Sequence, residues 1–122
     1  CAAGISVINE IVEKKLDKKA GILGEYLAKK LEGLKKLGVV REIRGKGLLR
    51  GVELVKDTQT LAPFPELGIA LKQTSLNNGI ILRINPDWFA VAPALIAEEG
   101  DIDEMVELIE KSLTDALEIV GR

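Results

Sequence analysis

Residues 40–54 read Val-Arg-Glu-Ile-Arg-Gly-Lys-Gly-Leu-Leu-Arg-Gly-Val-Glu-Leu, two β-rich runs broken by Gly45 and Gly47. The branched and apolar side chains of Val40, Ile43, Leu48, Leu49, Val52 and Leu54 suit a pleated, half-buried surface, and the glycines place a turn or sharp bend between the runs. Helical periodicity precedes this block. Ile5, Ile8, Val12 and Leu16, then Leu23, Leu27, Leu31 and Leu34, recur at helical spacing, which predicts two helices or one bent helix to about Leu37, with Gly38 as the stop. Lys and Glu fill the opposite face of the second, where Glu32 and Lys36 stand four apart and face solvent.

After the block the pattern changes again. Residues 56–65 are polar and then proline-punctuated, a surface connection. Pro65 suits the first turn of a helix to about Asn78, and Gly79 suits its left-handed cap. Residues 80–84 are the clearest strand, and residues 88–92 form another after the Asn85-Pro86-Asp87 turn. Asp101, three residues ahead of Glu104, reads as an N-cap with a capping-box partner for a helix striped by Ile102, Met105, Ile109, Leu113, Ala116 and Val120. The order of helices, two strands, helix, two strands, helix predicts an α+β fold: a small, largely antiparallel sheet with helices packed on one face.

Length and charge bound the function. A single domain of 122 residues buries roughly two thirds of its unfolded surface, enough for a core without metal or disulfide. No apolar run reaches the ~20 residues of a membrane span. With a net charge of -2 and basic residues interleaved with acidic ones, nothing calls for nucleic acid, so a small molecule or a protein is the expected partner. One cysteine and no histidine remove disulfide frameworks, Cys/His nucleophile arrangements and most metal sites, and fit a reducing cytoplasm. Cys1 has no activating neighbour in sequence and receives no role. The chain opens on Cys1 rather than Met, already in a helical pattern, and reads as a piece of something longer.

Arg44-Gly45-Lys46-Gly47 has glycines beside a lysine, yet another β-rich run follows and no Ser or Thr comes after the lysine, so the reading is a structural turn rather than a phosphate cradle. Arg44 and Glu53 are either an ion pair across the strands or a contact to another domain. Arg83 alternates with Ile80, Leu82 and Ile84, which puts it off the apolar face, just ahead of a proline-containing loop. There a guanidinium can meet a carboxylate with two parallel hydrogen bonds. Trp88 and Phe89 fall on opposite strand faces. One belongs to the core and the other either joins it, lines a pocket or docks on another domain. The acidic residues from Asp101 to Glu110 suit a helix start and carry no catalytic meaning.

Two blocks together carry a resemblance. Arg44-Gly45-Lys46-Gly47-Leu48 resembles the Arg-Gly-x-Gly-Leu strand pair of class III pyridoxal-phosphate aminotransferases. Arg83, ten residues before Pro93-Ala94-Leu95, resembles the substrate-arginine and Pro-Pro-Leu spacing of the omega-amino acid:pyruvate branch. The 4-aminobutyrate-like branch has its arginine three residues before that proline, where this chain has Ala90. The resemblance spans nearly the whole chain and implies the C-terminal small domain of a fold type I enzyme, with residues 1–18 as the interdomain helix. It places the cofactor lysine, the aspartate on the pyridine nitrogen and the phosphate-binding turn before the residue matching Cys1, in a large domain outside this chain. Implied for the intact protein are pyridoxal 5'-phosphate, a homodimer, transfer of an amino group from an amine to a keto acid, and substrate-carboxylate binding by Arg83. By itself the chain is expected to bind no cofactor and to expose an apolar face. The alternatives are a free-standing regulatory or oligomerisation module, or part of a mutase or racemase on the same scaffold.

Overall fold

The computed structural model describes residues 1–122. The first third resolves into α1 (Ala2–Glu13) and α2 (Leu16–Glu32), parted at Lys14 and Lys15, where Lys15 takes a left-handed φ of +52° that no helix can continue. A short 3₁₀ turn (Gly33–Leu37) extends the period to Leu37, and Gly38 ends it at φ +76°. Next come β1 (Val40–Lys46), β2 (Leu49–Leu54), α3 (Pro65–Asn77), β3 (Arg83–Asn85), β4 (Trp88–Val91) and α4 (Glu99–Ile119).

The strands form one antiparallel sheet in the order β1-β2-β4-β3. Alternation along β2 and β4 sends Val52, Leu54, Phe89 and Val91 to one face, where they join Leu27 and Leu31 of α2, Leu67 and Leu71 of α3, and Ile109 and Leu113 of α4 in a single core. The α+β expectation with helices on one face holds. Phe89 is the core member of the Trp88-Phe89 pair.

Two boundaries differ from the sequence reading. The strand expected over residues 80–84 is only Arg83–Asn85, because α3 closes through Gly79 at φ +85° with the Ile80 N–H bonded to the Ser75 carbonyl at 2.9 Å. Extending the Arg83–Ala90 register would also set Ile80 opposite Pro93, which has no N–H to donate. The last helix starts at Glu99 rather than after Asp101. Asp101 sits inside the first turn, its carboxylate accepting the Glu98 N–H at 2.9 Å, so Glu98 is the cap.

Two helix glycines set the helix layer onto the sheet. A methyl group on Gly24 of α2 would lie 2.2 Å from the Gly47 carbonyl oxygen in the β1–β2 turn, and one on Gly68 of α3 would lie 2.1 Å from the Pro86 carbonyl oxygen in the β3–β4 turn. Each hairpin tip therefore rests backbone-to-backbone on a helix. Arg50, only 7% exposed, completes the first joint: its Nε and Nη1 donate to the carbonyls of Gly47 and Gly45 at 2.9 and 3.0 Å, and its Nη2 lies 3.4 Å from Glu25 of α2. Polar bonds tie the helices together. Thr74 Oγ1 donates to the Ser112 carbonyl at 2.8 Å between α3 and α4, and Tyr26 Oη donates to Asp103 Oδ1 at 2.5 Å between α2 and α4.

The Tyr26 bond leaves an electrostatic signature. Asp103 is held below the usual carboxylate range, first by the phenol hydrogen bond and then by Lys30 at 3.2 Å, while Asp103 in turn pushes Tyr26 and Lys30 up.

Gly21 and Gly24 share a helix but not an environment, since a methyl on Gly21 meets nothing within 4 Å. Gly21→Ala should raise stability by about 0.5–1 kcal/mol through helix propensity. Gly24→Ala should lower it by about 1–3 kcal/mol through overpacking. Urea midpoints of opposite sign for the two variants check the joint.

Because Asp103 is depressed in the folded state, its contribution is present above the ordinary carboxylate value and lost as pH falls through the folded one. Tyr26→Phe should therefore cost stability near pH ~7, with the difference from the parent shrinking in acid below pH ~4. Denaturation at both pH values checks this, and a pH-independent difference would mean that the bond does not carry it.

Candidate functional site

The alternation that buries Val52, Phe89 and Val91 sends Leu49, Gly51, Glu53, Trp88, Ala90 and Arg83 to the other face of the sheet, together with Arg44 of β1. That face is left open, with Leu49, 63% exposed, at the hairpin end of β2. A shallow depression of about 450 Å³ lies on it, lined by Arg44, Leu49, Gly51, Arg83, Trp88 and Ala90 among others.

Arg83 stands where the sequence put it, off the apolar face and at the first position of edge strand β3, paired with Ala90. Its side chain is exposed and makes no ion pair or hydrogen bond within the chain. An unpartnered guanidinium at the rim of a depression is ready to accept a carboxylate with two parallel bonds. Trp88, half-buried, lies in register between Glu53 of β2 and Asn85 of β3 and forms the side wall.

The Arg44–Glu53 question resolves in part. Arg44 Nη2 is 3.9 Å from Glu53 and its Nε 3.8 Å from Glu42, whereas Arg41 Nη1 reaches Glu53 at 3.2 Å. Glu53 therefore has Arg41, which the sequence reading passed over, as its close partner. A bulge between Val40 and Ile43 breaks simple alternation there, and no spacing rule would have found the pair. Arg50 also escaped notice. Its only sequence signal is its place next to a glycine pair whose carbonyls need a donor.

Arg44-Gly45-Lys46-Gly47 is a hairpin tip, as read. Gly45 at φ +129° and Gly47 at φ +57° turn their carbonyls onto Arg50, and the Gly47 backbone is pressed on Gly24, so the loop offers no open nest of N–H groups to a phosphate. Beyond the sheet, α1 packs against α2 and buries none of its residues, leaving Ile8 61% and Val12 67% exposed. Cys1 is exposed and free.

Comparison with known proteins gives consistent findings. The profile of the family described as "Aminotransferase class-III" matches residues 1–113. A taurine–pyruvate aminotransferase from Bilophila wadsworthia is 34% identical over 122 residues, covering 93% of this chain and 27% of its own length. A leucine/methionine racemase from Thermococcus litoralis is 32% identical over 118 residues, covering 95% and 27%. Among solved structures, a thermostable (S)-enantioselective omega-transaminase from Thermomicrobium roseum superposes with a TM-score of 0.91 at 32% identity, covering 96% of this chain and 27% of its own. The chain thus spans about a quarter of the length of the proteins that it matches.

Proposed function

Because this chain belongs to the class III aminotransferase family, we propose that it is the small C-terminal domain of an aminotransferase that moves an amino group from an amine or omega-amino acid to a keto acid such as pyruvate. Its part is to hold the substrate carboxylate with Arg83. The observation that carries the reading is Arg83 itself, an exposed, unpaired guanidinium on the open face of a sheet whose other face packs on the core. The likeness to a taurine–pyruvate aminotransferase and to an omega-transaminase supports the substrate class. Residues 1–18, whose helix α1 buries nothing, serve as the interdomain helix in this reading, and the intact protein works as a homodimer in the cytoplasm. No helix here is long and apolar enough to cross a membrane.

Family members use pyridoxal 5'-phosphate, which supplies an electron sink for moving the amino group when bound. The residues of this chain do not fit it. Every lysine is exposed except half-buried Lys19, none lines the depression at Arg83, and the glycine loop spends its carbonyls on Arg50. This reading assigns the cofactor to a part of the protein outside these residues. What this domain supplies is orientation: a bidentate clamp fixes the reacting end of a carboxylate substrate near its attack geometry. A racemase is the second reading, favoured by the Thermococcus litoralis relative. Stoichiometric keto acid formed from the amino donor supports transamination, and inversion of the donor without keto acid supports the racemase.

In the intact enzyme, Arg83→Ala should raise KM for pyruvate-like keto acids by about ten- to a hundred-fold, the loss of a charge-assisted pair worth roughly 1.5–3 kcal/mol. Amines lacking a carboxylate should be far less affected. Arg83→Lys should recover part of the loss, since an ammonium offers no parallel pair of donors. Equal effects on both substrate types would make Arg83 structural.

The 122-residue chain by itself should give no saturable absorbance change on titration with pyridoxal phosphate. A one-to-one complex abolished by substituting one lysine would overturn the assignment of the cofactor to another domain.

A further inference from the structure

Of the four asparagines, Asn78 alone is followed by glycine. In an open chain such a pair is chemically labile, because the Gly79 nitrogen has no Cβ beside it to hinder an attack on the side-chain carbonyl carbon of Asn78. As that N–C bond forms, the bond from the carbonyl carbon to Nδ2 breaks, and ammonia leaves with the Gly79 amide proton. Water then opens the five-membered imide at one carbonyl or the other, leaving aspartate or isoaspartate.

The fold keeps the reacting atoms apart. Asn78 closes α3 at φ -86° and ψ 0°, so the Gly79 nitrogen eclipses the Asn78 nitrogen rather than the side chain it would have to reach. The Gly79 N–H is already given to the Leu76 carbonyl at 3.1 Å, and the Ile80 N–H to the Ser75 carbonyl at 2.9 Å, across a Gly79 at φ +85°. The amide itself is gripped by α4. Its Nδ2 donates to Ser112 Oγ at 3.2 Å and to Asp115 Oδ2 at 3.0 Å, and its Oδ1 accepts from Lys111 Nζ at 2.6 Å. A carboxylate only accepts and an ammonium only donates, so each end of the amide is fixed. Closing the imide ring requires rotation about the Asn78 Cα–C bond, which breaks the cap, and a swing of the amide, which breaks the α4 bonds.

The product would not fit the same place. With an acid at position 78, an oxygen that only accepts replaces the Nδ2 that stands 3.0 Å from the Asp115 carboxylate, so two donated bonds become a like-charge contact. We propose that Asn78-Gly79 is a latent deamidation site, kept as the amide by Lys111, Ser112 and Asp115 and converted when the end of α3 opens from α4, after which the joint between the two helices stays weakened. Local opening of this kind gates the chemistry, and the conversion is irreversible. The inference is independent of the role of Arg83.

The test is peptide mass spectrometry of the full-length, cofactor-loaded protein, aged in mildly alkaline buffer with and without urea. In urea, Asn78 should convert fastest of the four asparagines, and Gly79→Ala should bring it down to the rate of Asn77. In the folded parent, conversion at Asn78 should be slower by roughly tenfold or more, since only the opened fraction reacts. Lys111→Met and Asp115→Ala should each speed the folded rate by roughly three- to tenfold, the loss of one hydrogen bond to the amide, and leave the rate in urea unchanged. The product is tested directly by Asn78→Asp, which should lower the melting temperature by about 2 °C or more, with Asp115→Asn in the same chain recovering the loss by restoring a donor. A folded parent that converts at the urea rate, or variants at 111 and 115 that leave the folded rate unchanged, overturns the proposal. So does an Asn78→Asp protein that melts with the parent, or one whose loss Asp115→Asn does not recover.

Discussion

The structure depends on two places where a helix and a hairpin touch without side chains between them. At Gly24 and at Gly68 a helix comes close enough to a turn that a single methyl would overlap its carbonyl oxygen. These contacts fix both ends of the sheet against the helix layer, so the strands have one height and one tilt over α2 and α3. Phe89 can then be fully buried, and the side chains that alternate with the core can all project to one open face. Arg50 makes the first contact durable by satisfying carbonyls that the tight turn points inward, away from water.

Most of the architecture was legible because it rests on period. Leu23, Leu27 and Leu31 repeat as a helix does, and the runs around Gly45 and Gly47 read as strands, so α2, β1 and β2 fell where expected. Boundaries were less legible because they depend on single long-range partners. The strand over residues 80–84 shrank since α3's closing bond and Pro93 together deny its first residues a ladder, and neither fact is local to those residues. Asp101 looked like a cap because acidic caps and acidic residues in the first turn share composition.

The candidate site was half legible. Alternation along the strand put Arg83 off the apolar face, where it stands, and Trp88 was singled out by its place beside Phe89. Arg44 was noticed as either half of an ion pair with Glu53 or a contact to another domain, and it does approach Glu53, at 3.9 Å, though Arg41 stands closer at 3.2 Å. Gly51, which also lines the depression, was invisible, since a glycine in a strand has no meaning until one knows what stands opposite it. That knowledge comes only from register across four strands, two of which are some forty residues distant in sequence from the other two.

The period-two division of the sheet has a consequence for descent. Residues 49, 51, 53, 83, 88 and 90 meet solvent, while 52, 54, 84, 89 and 91 meet the core, fully or in part, so the two sets share backbone but almost no contacts. Substitutions at members of the two sets that share no partner and stand well apart combine nearly additively. A lineage can therefore rewrite the exposed set, one side chain at a time, while the folding free energy held by the buried set stays where it was. A scaffold partitioned in this way is free to diverge in what its open face meets long before it must diverge in shape.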